Sequence, residues 1–447
     1  MSTISSFSRI TVLAAGIAGA LAIGQAHGAA FQLKENSAKA QGRAFAGSAS
    51  APDDTAIVVN NPAGMRLLDG RQFEADASVV NFSAKYHGNG GSYLGGLGGP
   101  VNGGNGGDAG TTVPLPALYF HQPLGDNMHL GASVTVPYGF KTEYDRDWVG
   151  RYQGTKTDLQ AIDAALAFSY DVNPYVSFGA SVFGERLDVD LSNAIDFGTA
   201  LYAAGLGAYG FAPGNADGAL RVMGHSTKMG FTLGGLFSID ENTNIGMTYR
   251  SRVKHKITNG TADFTVPAAA AAVLSVAQPG AYVDSKGRAN LIMPATATLS
   301  VFHRINERWS VMGDVTRTAW SKFDKINVNL ESGQTLPLEF DYRDTTFVSI
   351  GADYKLNETV TLRGGLAYDQ TPTTNENRDV RVPDNSRKWA SIGASWTPSE
   401  HSEWNIGYTH LFASDSSVNE VAQTGSTLAG SFAITGDVLA ASYRYKF

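Results

Sequence analysis

The side chains that could perform covalent chemistry are sparse in this chain of 447 residues, and they follow no catalytic spacing. The nine histidines form no His-Glu-x-x-His pair, and no Gly-x-Ser-x-Gly turn is present. Cysteine is absent, which removes thiolate nucleophiles and cysteine-bound metals. Asp53 and Asp54 are neighbouring carboxylates, but adjacent carboxylates more often accept hydrogen bonds. We therefore predict no catalytic residue, no metal site and no cofactor. A lipid-modifying enzyme is the alternative, since catalytic residues need not be close in sequence.

Neither a nucleotide-binding loop nor a nucleic-acid-binding surface is predicted. Residues 87–110 hold twelve glycines, but neither a P-loop lysine nor a following helix accompanies them, so they are predicted to form a flexible loop. The formal net charge is −7, which argues against a protein that must neutralise nucleic-acid phosphates. We expect no nucleic-acid partner.

Three cationic side chains are predicted to face the interior of the fold. Arg186 lies near the end of a predicted strand, Lys325 in a long loop, and Arg387 at the start of a later strand. A cation in an otherwise apolar cavity would pair with a ligand carboxylate, and exclusion of water would strengthen that pairing. The alternative for each cation is an ion pair with an Asp or Glu of the wall.

From Arg71 onward, apolar and polar residues alternate with a period of two. In the clearest segment one face carries Ile162, Ala164, Leu166, Phe168 and Tyr170. Segments of about ten residues with this pattern have the length of tilted membrane-spanning strands. The last strand ends on Phe447, an aromatic terminus typical of bacterial barrels that the outer-membrane insertion machinery assembles. A soluble β-sandwich is the alternative, because its strands also carry one apolar face.

The connections between these segments alternate between tight turns and long loops. The tight turns are predicted at residues 124–126, 171–174, 240–243, 306–308, 357–359 and 398–402. The long loops are predicted at residues 87–113, 141–156, 192–225, 259–290, 321–344, 371–385 and 413–431. Six turns and seven loops require fourteen strands, and this asymmetry is typical of outer-membrane barrels. The sequence therefore predicts an all-β fold, a 14-stranded antiparallel transmembrane β-barrel.

The chain before these strands divides into two predicted parts. Residues 1–28 have the features of a secretory signal, with Arg9 before an apolar run and small residues before Ala29. The apolar run, residues 10–23, is shorter than the ~20 residues that a spanning helix needs. Residues 29–70 are rich in alanine and serine and show no strand alternation. We predict that they form a small N-terminal hatch that plugs a barrel formed by residues 71–447.

Two of the long loops are apolar where a water-exposed loop should be polar. Residues 192–225 include Phe197, Leu201 and Tyr202, and residues 259–290 include a run of alanines followed by Val273 and Leu274. Exposed apolar surface usually marks a binding site. The alternative is that the two loops pack on each other only to cap the barrel.

Several short motifs, in this order, resemble the FadL family of outer-membrane transporters, which includes the TodX-type branch. They are Ala29-Ala30-Phe31-Gln32-Leu33, Gly42-Arg43-Ala44-Phe45-Ala46-Gly47, Asn61-Pro62-Ala63, Tyr138-Gly139-Phe140-Lys141-Thr142-Glu143-Tyr144, Thr248-Tyr249-Arg250-Ser251, Trp320-Ser321-Lys322-Phe323 and Pro383-Asp384 followed by Arg387 and Trp389. The resemblance covers essentially all of the chain after residue 28.

The resemblance implies a route for hydrophobic compounds without an open water pore. Outer loops would capture the compound, a site inside the barrel would bind it, and movement of the amino terminus would release it sideways at a kink in the third strand, where Gly131 and Pro137 can break pairing. The substrate-binding residues implied are Arg186, Lys325, Arg387, Phe197, Leu201 and Tyr202. The hatch and gating residues implied are Ala29, Phe31, Asn61, Pro62, Ala63 and Gly131.

The resemblance also implies a function and its partners. We expect passive uptake of long-chain fatty acids or similar hydrophobic molecules by a monomer in the bacterial outer membrane. That monomer would lie among outer-membrane lipid and lipopolysaccharide. Release into lipid needs no energy input, because each methylene kept out of water is worth ~0.8 kcal/mol. Uptake of neutral aromatic or aliphatic hydrocarbons is the alternative.

Overall fold

The computed structural model describes residues 30–447, and the strands of this part of the chain belong to one antiparallel sheet. The strands are β1 (Gln72–His87), β2 (Thr112–Pro123), β3 (Met128–Glu143), β4 (Lys156–Asn173), β5 (Val176–Asp196), β6 (Asp217–Asp240), β7 (Thr243–Arg250), β8 (Val253–Thr265), β9 (Ser285–Met293), β10 (Thr296–Arg304), β11 (Trp309–Thr318), β12 (Lys325–Leu330), β13 (Thr335–Glu339), β14 (Thr345–Lys355), β15 (Val360–Asp369), β16 (Arg387–Ser399), β17 (Ser402–Ala413), β18 (Ser416–Val421) and β19 (Thr427–Lys446). The predicted signal, residues 1–28, and Ala29 lie outside the described residues.

Fourteen of these strands close into a barrel, which confirms the predicted fold class. β1 to β7 pair in chain order, followed by β10, β11, β14 to β17 and β19, and β19 pairs with β1 from Gln72↔Lys446 to His87↔Ser431. All six predicted tight turns lie at one end, which we call the periplasmic end. The seven long connections lie at the other, outer end. There, β8, β9, β12 and β13 extend the wall above β6, and β18 extends it beside β19.

Alternation along the strands sorts residues to the two faces of the wall. On β4, Leu166 and Phe168 are 67% and 46% exposed, whereas the intervening Ala167 is 2% exposed. Aromatic pairs lie on the outside near the periplasmic end, with Trp309 4.7 Å from Tyr354 and Trp404 4.5 Å from Tyr443 between ring centroids. Such belts mark the interface between hydrocarbon and head groups. Within residues 30–447, no helix has the length and apolar character needed to cross a membrane.

The segment before β1, residues 30–70, lies inside the barrel and is almost entirely buried. It contains two short helices, α1 (Ala38–Gln41) and α2 (Ile57–Asn60), and a 3-10 helix (Pro62–Leu67). Its backbone approaches the wall closely because inward positions on eight strands are glycine. A Cβ at any of them would meet this segment at less than 3.0 Å: Gly131, Gly179, Gly234, Gly246, Gly351, Gly365, Gly393 and Gly407.

Buried ion pairs attach the same segment to the wall near the periplasmic end. Arg43 is fully buried, and its Nη1 lies 3.0 Å from an oxygen of Asp353 on β14 and 3.2 Å from Asp53. Lys39 pairs with Glu403 on β17, which also pairs with Arg444 on β19. Removing one partner of a buried pair leaves an uncompensated charge, so these contacts hold the segment in place.

The outer loops contain further short elements. Helix α3 (Phe197–Ala203) begins at Asp196, whose side chain accepts a hydrogen bond from the Thr199 amide, and helix α4 (Ala268–Ala277) includes the predicted alanine run. Single 3-10 turns occupy Leu94–Gly96, Leu206–Tyr209 and Trp320–Lys322. Phe197 meets Tyr282 edge to face at 5.0 Å, so the two apolar loops pack against each other.

Candidate substrate-binding site

An apolar cavity lies inside the barrel above the amino-terminal segment. Phe31 forms part of its lining, and the other walls come from strands of both the barrel and its outer extension. Among the apolar residues that line it are Phe140, Leu159, Val189, Ile257, Leu291, Phe323, Ile326, Phe340 and Val382. Among the described residues that line it, Arg288 and Arg381 are the only charged ones. The cavity suits the hydrocarbon part of a ligand, because apolar surface there is kept from water.

A vestibule adjoins the cavity at the outer end. Its lining includes residues of β13 and β18 and residues 376–381. Both spaces are bordered by the same throat residues, Leu191, Val222, Val328, Leu338 and Arg381. The vestibule and the cavity are therefore neighbours, and these side chains lie between them.

Within residues 30–447, Arg381 is the one cation that borders both spaces. Its Nη1 lies 2.9 Å from Asp379 Oδ2 and 3.7 Å from Glu420 Oε1. Its Nε and Nη2 have no hydrogen-bond partner among the described residues, so one edge of the guanidinium is available to a ligand. Sequence reasoning missed this residue, because residues 371–385 are polar and carry no periodic pattern.

The charge of the throat depends on Glu420. Burial and the nearby Asp379 raise the pKa of Glu420 to about 8, against an opposing effect of Arg381. The side chain is therefore mostly protonated at neutral pH and accepts a hydrogen bond from the Val380 amide at 3.1 Å.

Residues 31–33 separate the cavity from the wall at β3. The Phe31 carbonyl accepts a hydrogen bond from the Gly139 amide, and the Leu33 amide donates to the Pro137 carbonyl, each at 2.8 Å. The Phe31 ring packs against Trp320 and Phe323, with centroids 4.6 and 4.9 Å away. The amino-terminal segment thus occupies the pairing edge of β3 at this height.

No strand pairs with that edge of β3, because the pairing between β2 and β3 ends below it. Their pairing ends at Leu118↔Val134, and β3 then has a bulge between Thr135 and Tyr138. Pro114, Pro116 and Pro137 have no amide hydrogen to donate, so the ladder cannot be completed with ordinary bonds. The result is a gap in the wall between the outer halves of β2 and β3.

A second chamber lies between the amino-terminal segment and this bulge. Val136 and Pro137 line it on the side of the gap, and Lys34 lines it on the side of the segment. Lys34 Nζ lies 4.2 Å from the centroid of the Phe347 ring, and no described carboxylate lies within 4.0 Å of it. Residues 31–33 therefore form a partition between the apolar cavity and a chamber that leads to the gap.

Two of the predicted ligand cations do not face the interior, so those predictions are wrong. Arg186 lies on the outer face of β5, 54% exposed, and pairs with Asp188 through two 2.9 Å hydrogen bonds. It lies on the same face of the strand as the exposed Val182, whereas the adjacent Glu185 is buried and faces inward. Lys325 is exposed at the start of β12 and pairs with Glu339. It precedes the buried alternation of Ile326 and Val328, which directs it to solvent.

The other predicted binding residues occupy mixed positions. Arg387 is buried as expected, but it pairs with Asp369 at 3.1 Å and Asp384 at 3.5 Å, which is the wall-pairing alternative. Phe197 and Leu201 are buried in the packing between the two apolar loops, whereas Tyr202 is 44% exposed. The loops therefore cap the barrel and still leave aromatic surface at the outer end.

The residues predicted to form the hatch lie against the barrel wall. Asn61 donates hydrogen bonds to the carbonyls of Ala49 and of Gly235 on β6, at 2.8 and 3.1 Å. Pro62 and Ala63 lie where a side chain at Gly179 would have to be. Gly131 is fully paired with both neighbouring strands, so it does not break the wall as expected. It makes room for Val58 and Met65 instead.

A closed, internally plugged barrel with an apolar cavity reached from its outer end defines an outer-membrane transport protein rather than a water-filled porin. The family model described as outer membrane protein transport protein (OMPP1/FadL/TodX) matches residues 19–447, and the chain belongs to this family. It is 30% identical to outer membrane protein P1 of Haemophilus influenzae over 88% of this chain and 87% of that protein.

Two further likenesses extend this finding. The long-chain fatty acid transport protein of Escherichia coli strain K12 is 27% identical over 92% of this chain and 94% of its own length. The crystal structure of a Pseudomonas aeruginosa FadL homologue superposes with a TM-score of 0.85 at 28% identity, covering 93% of this chain and 99% of that one. The chain is thus a protein of the bacterial outer membrane.

Proposed function

We propose that this protein carries long-chain fatty acids or similar hydrophobic molecules passively across the outer leaflet. The observation that carries the proposal is that the outer vestibule and the apolar cavity beside Phe31 meet at the Arg381 throat. The fatty-acid transport named for the Escherichia coli relative supports the same class of substrate.

The amino-terminal segment acts in this proposal as a movable hatch. Ligand in the cavity displaces Phe31, which withdraws residues 31–33 from the edge of β3. The cavity then joins the second chamber, and the ligand leaves through the gap between β2 and β3. Among the described residues, two backbone hydrogen bonds and no ion pair hold this stretch to β3, whereas buried ion pairs hold the region around Arg43. Release of the stretch must also break the ring contacts of Phe31 with Trp320 and Phe323.

Sideways release follows from the energetics of the substrate. An acyl chain that entered periplasmic water would lose ~0.8 kcal/mol per exposed methylene, whereas a chain that passes from the cavity to lipid stays out of water. The free energy of the acyl chain therefore changes little in this step, and no energy source is needed. Each barrel encloses a complete route, so a monomer suffices, and no covalent chemistry is assigned to the site.

Arg381 is proposed to hold the head group. A carboxylate on its free edge would form charge-assisted hydrogen bonds out of bulk water, while the chain extends towards Phe31. A neutral hydrocarbon is the second candidate substrate, because Arg288, the other charged residue of the lining, is exposed and lies 3.9 Å from Glu331.

Uptake of oleate and of methyl oleate, measured in cells that lack other fatty-acid importers, separates these candidates. For Arg381→Met we expect oleate uptake to fall about tenfold, as for loss of a charged hydrogen bond, and methyl oleate uptake to change little. Arg381→Lys should restore part of the oleate uptake, because lysine keeps the positive charge but lacks the paired N–H donors of the guanidinium. Arg186→Met is the matched control and should leave both rates unchanged.

Three other results would contradict parts of the proposal. Equal loss of both substrates in Arg381→Met would contradict a carboxylate site and favour a neutral ligand. Failure of the unaltered protein to raise uptake of either substrate would overturn the proposed function itself. Release of fatty acid from phospholipid by the purified protein would favour the enzyme alternative.

A further inference from the structure

A row of three cations, which we call the basic row, lies on the outer face of the barrel wall where β8 begins. Arg252, Lys254 and Lys256 are exposed, and they alternate with the buried Val253, His255 and Ile257. Alternation of this kind places the three side chains on one face, spread over about 13 Å of strand at ~3.3 Å per residue.

The basic row has no counter-charge among the described residues. No carboxylate lies within 4.0 Å of any of its three cations. Three other cations at the same end are paired with carboxylates: Arg186 with Asp188, Arg221 with Asp190 and Arg288 with Glu331. Like charges in register along one face repel each other, so this row favours an anion that bridges them.

The height of the row on the wall identifies the kind of anion. β8 continues the wall directly above β7, whose last pair with β6 is Thr232↔Arg250. Just below the row, the outer face is apolar and aromatic, with Phe231 and Tyr249 exposed and their ring centroids 6.3 Å apart. Met229 and Met247 are exposed beside them. The row therefore lies at the level where hydrocarbon gives way to head groups.

We propose that the basic row binds the phosphate groups of an outer-leaflet glycolipid, the phosphorylated lipid A part of lipopolysaccharide. Phosphates of the head group pair with Arg252, Lys254 and Lys256, and the acyl chains lie against Met229, Phe231, Met247 and Tyr249. A soluble polyanion fits less well, because it would cover the charges and leave no use for the apolar surface directly beneath. The opposite face of the same strand carries Ile257 into the ligand cavity, so the bound lipid would hold in place a strand that lines it.

The test compares two charge-matched variants of the full-length protein. Arg252→Gln, Lys254→Gln and Lys256→Gln together remove the basic row. Arg304→Gln, Arg308→Gln and Lys355→Gln together remove three cations from the periplasmic end. Binding of bisphosphorylated lipid A, lipid A with both phosphates removed, and phosphatidylglycerol is measured by native mass spectrometry. The heat-dependent electrophoretic shift of the barrel verifies folding of each variant.

We expect the unaltered protein and the periplasmic variant to bind bisphosphorylated lipid A equally, and the row variant to bind it at least tenfold more weakly. Added salt should weaken binding to the unaltered protein, since the pairing is between charges at the surface. The proposal is overturned if the row variant binds as tightly as the control. It is also overturned if dephosphorylated lipid A or phosphatidylglycerol binds the unaltered protein as well as bisphosphorylated lipid A does.

Discussion

Glu420 is the titrating residue of the throat, and the pH response of the outer loops should depend on it. Its pKa of about 8 lies above the ordinary value of 4.5, because burial and Asp379 disfavour the charged form. Between these two values the folded loops hold a proton that an unfolded segment has released. The packing of β18 on residues 379–381 is therefore most stable below about pH 4.5 and weakens as the pH rises through 8.

We expect amide hydrogen exchange of residues 416–421, corrected for its intrinsic pH dependence, to be faster at pH 9 than at pH 6. Glu420→Gln cannot ionise, and it should show the same protection at both values. Equal protection of the unaltered protein at the two pH values would contradict this account of the throat, as would an unchanged pH response in the variant.

For some residues of the site, the sequence was enough to predict whether the side chain faces inward or outward. Arg186 shares the parity of Phe178 and Val182, which the alternating pattern already assigns to lipid, so its outward direction was available from the sequence. The direction of Lys325 was available too, because Ser332-Gly333 is a turn signal between β12 and β13, with Gly333 at φ 90°. Arg378 and Arg381 lie in a polar loop with no period, and only the tertiary structure brings Arg381 to the throat.

At the level of elements, inward glycines explain how a compact segment fits inside a barrel of this size. Gly365 on β15 faces Arg43, and a Cβ there would lie 2.3 Å from its backbone carbon. The adjacent Gly364 faces outward, and the nearest atom to its Cβ would be 4.0 Å away. Two neighbouring glycines on one strand thus differ only in the face they occupy.

We expect Gly365→Ala to destabilise the seating of the hatch by about 1–3 kcal/mol, the usual cost of overpacking against backbone. Gly364→Ala should be close to neutral, because it meets open space. Leakage of a small hydrophilic dye from vesicles and protease access to residues 30–70 measure the effect. Similar behaviour of the two variants would show that these glycines do not position the hatch.

Barrel architecture was predictable from the sequence because two independent signals agree. The period of two identifies the segments as strands, and the six tight turns and seven long loops between them require fourteen. The bulge in β3 was only partly predictable: Pro137 lies in it, whereas Gly131 remains paired and serves the hatch. The close pairing of residues 31–33 with β3 has no local signal, since its partners are about a hundred residues apart.

At the scale of the whole molecule, transport requires that residues 31–33 leave the edge of β3. The chain has no cysteine, so Gln32→Cys with Tyr138→Cys would introduce the only two thiols. These positions form an antiparallel bridge flanked by the two 2.8 Å hydrogen bonds. Cα atoms across such a non-hydrogen-bonded pair lie about 4.5 Å apart, within the range that a disulfide spans.

The most direct test is oleate uptake by this double variant, oxidised and then reduced, with Gln32→Cys alone as the control. The account predicts that the disulfide abolishes uptake, that reductant restores it, and that the single variant transports in both conditions. Undiminished uptake by the fully oxidised double variant would contradict it, because ligand would then cross the membrane while the partition stays closed.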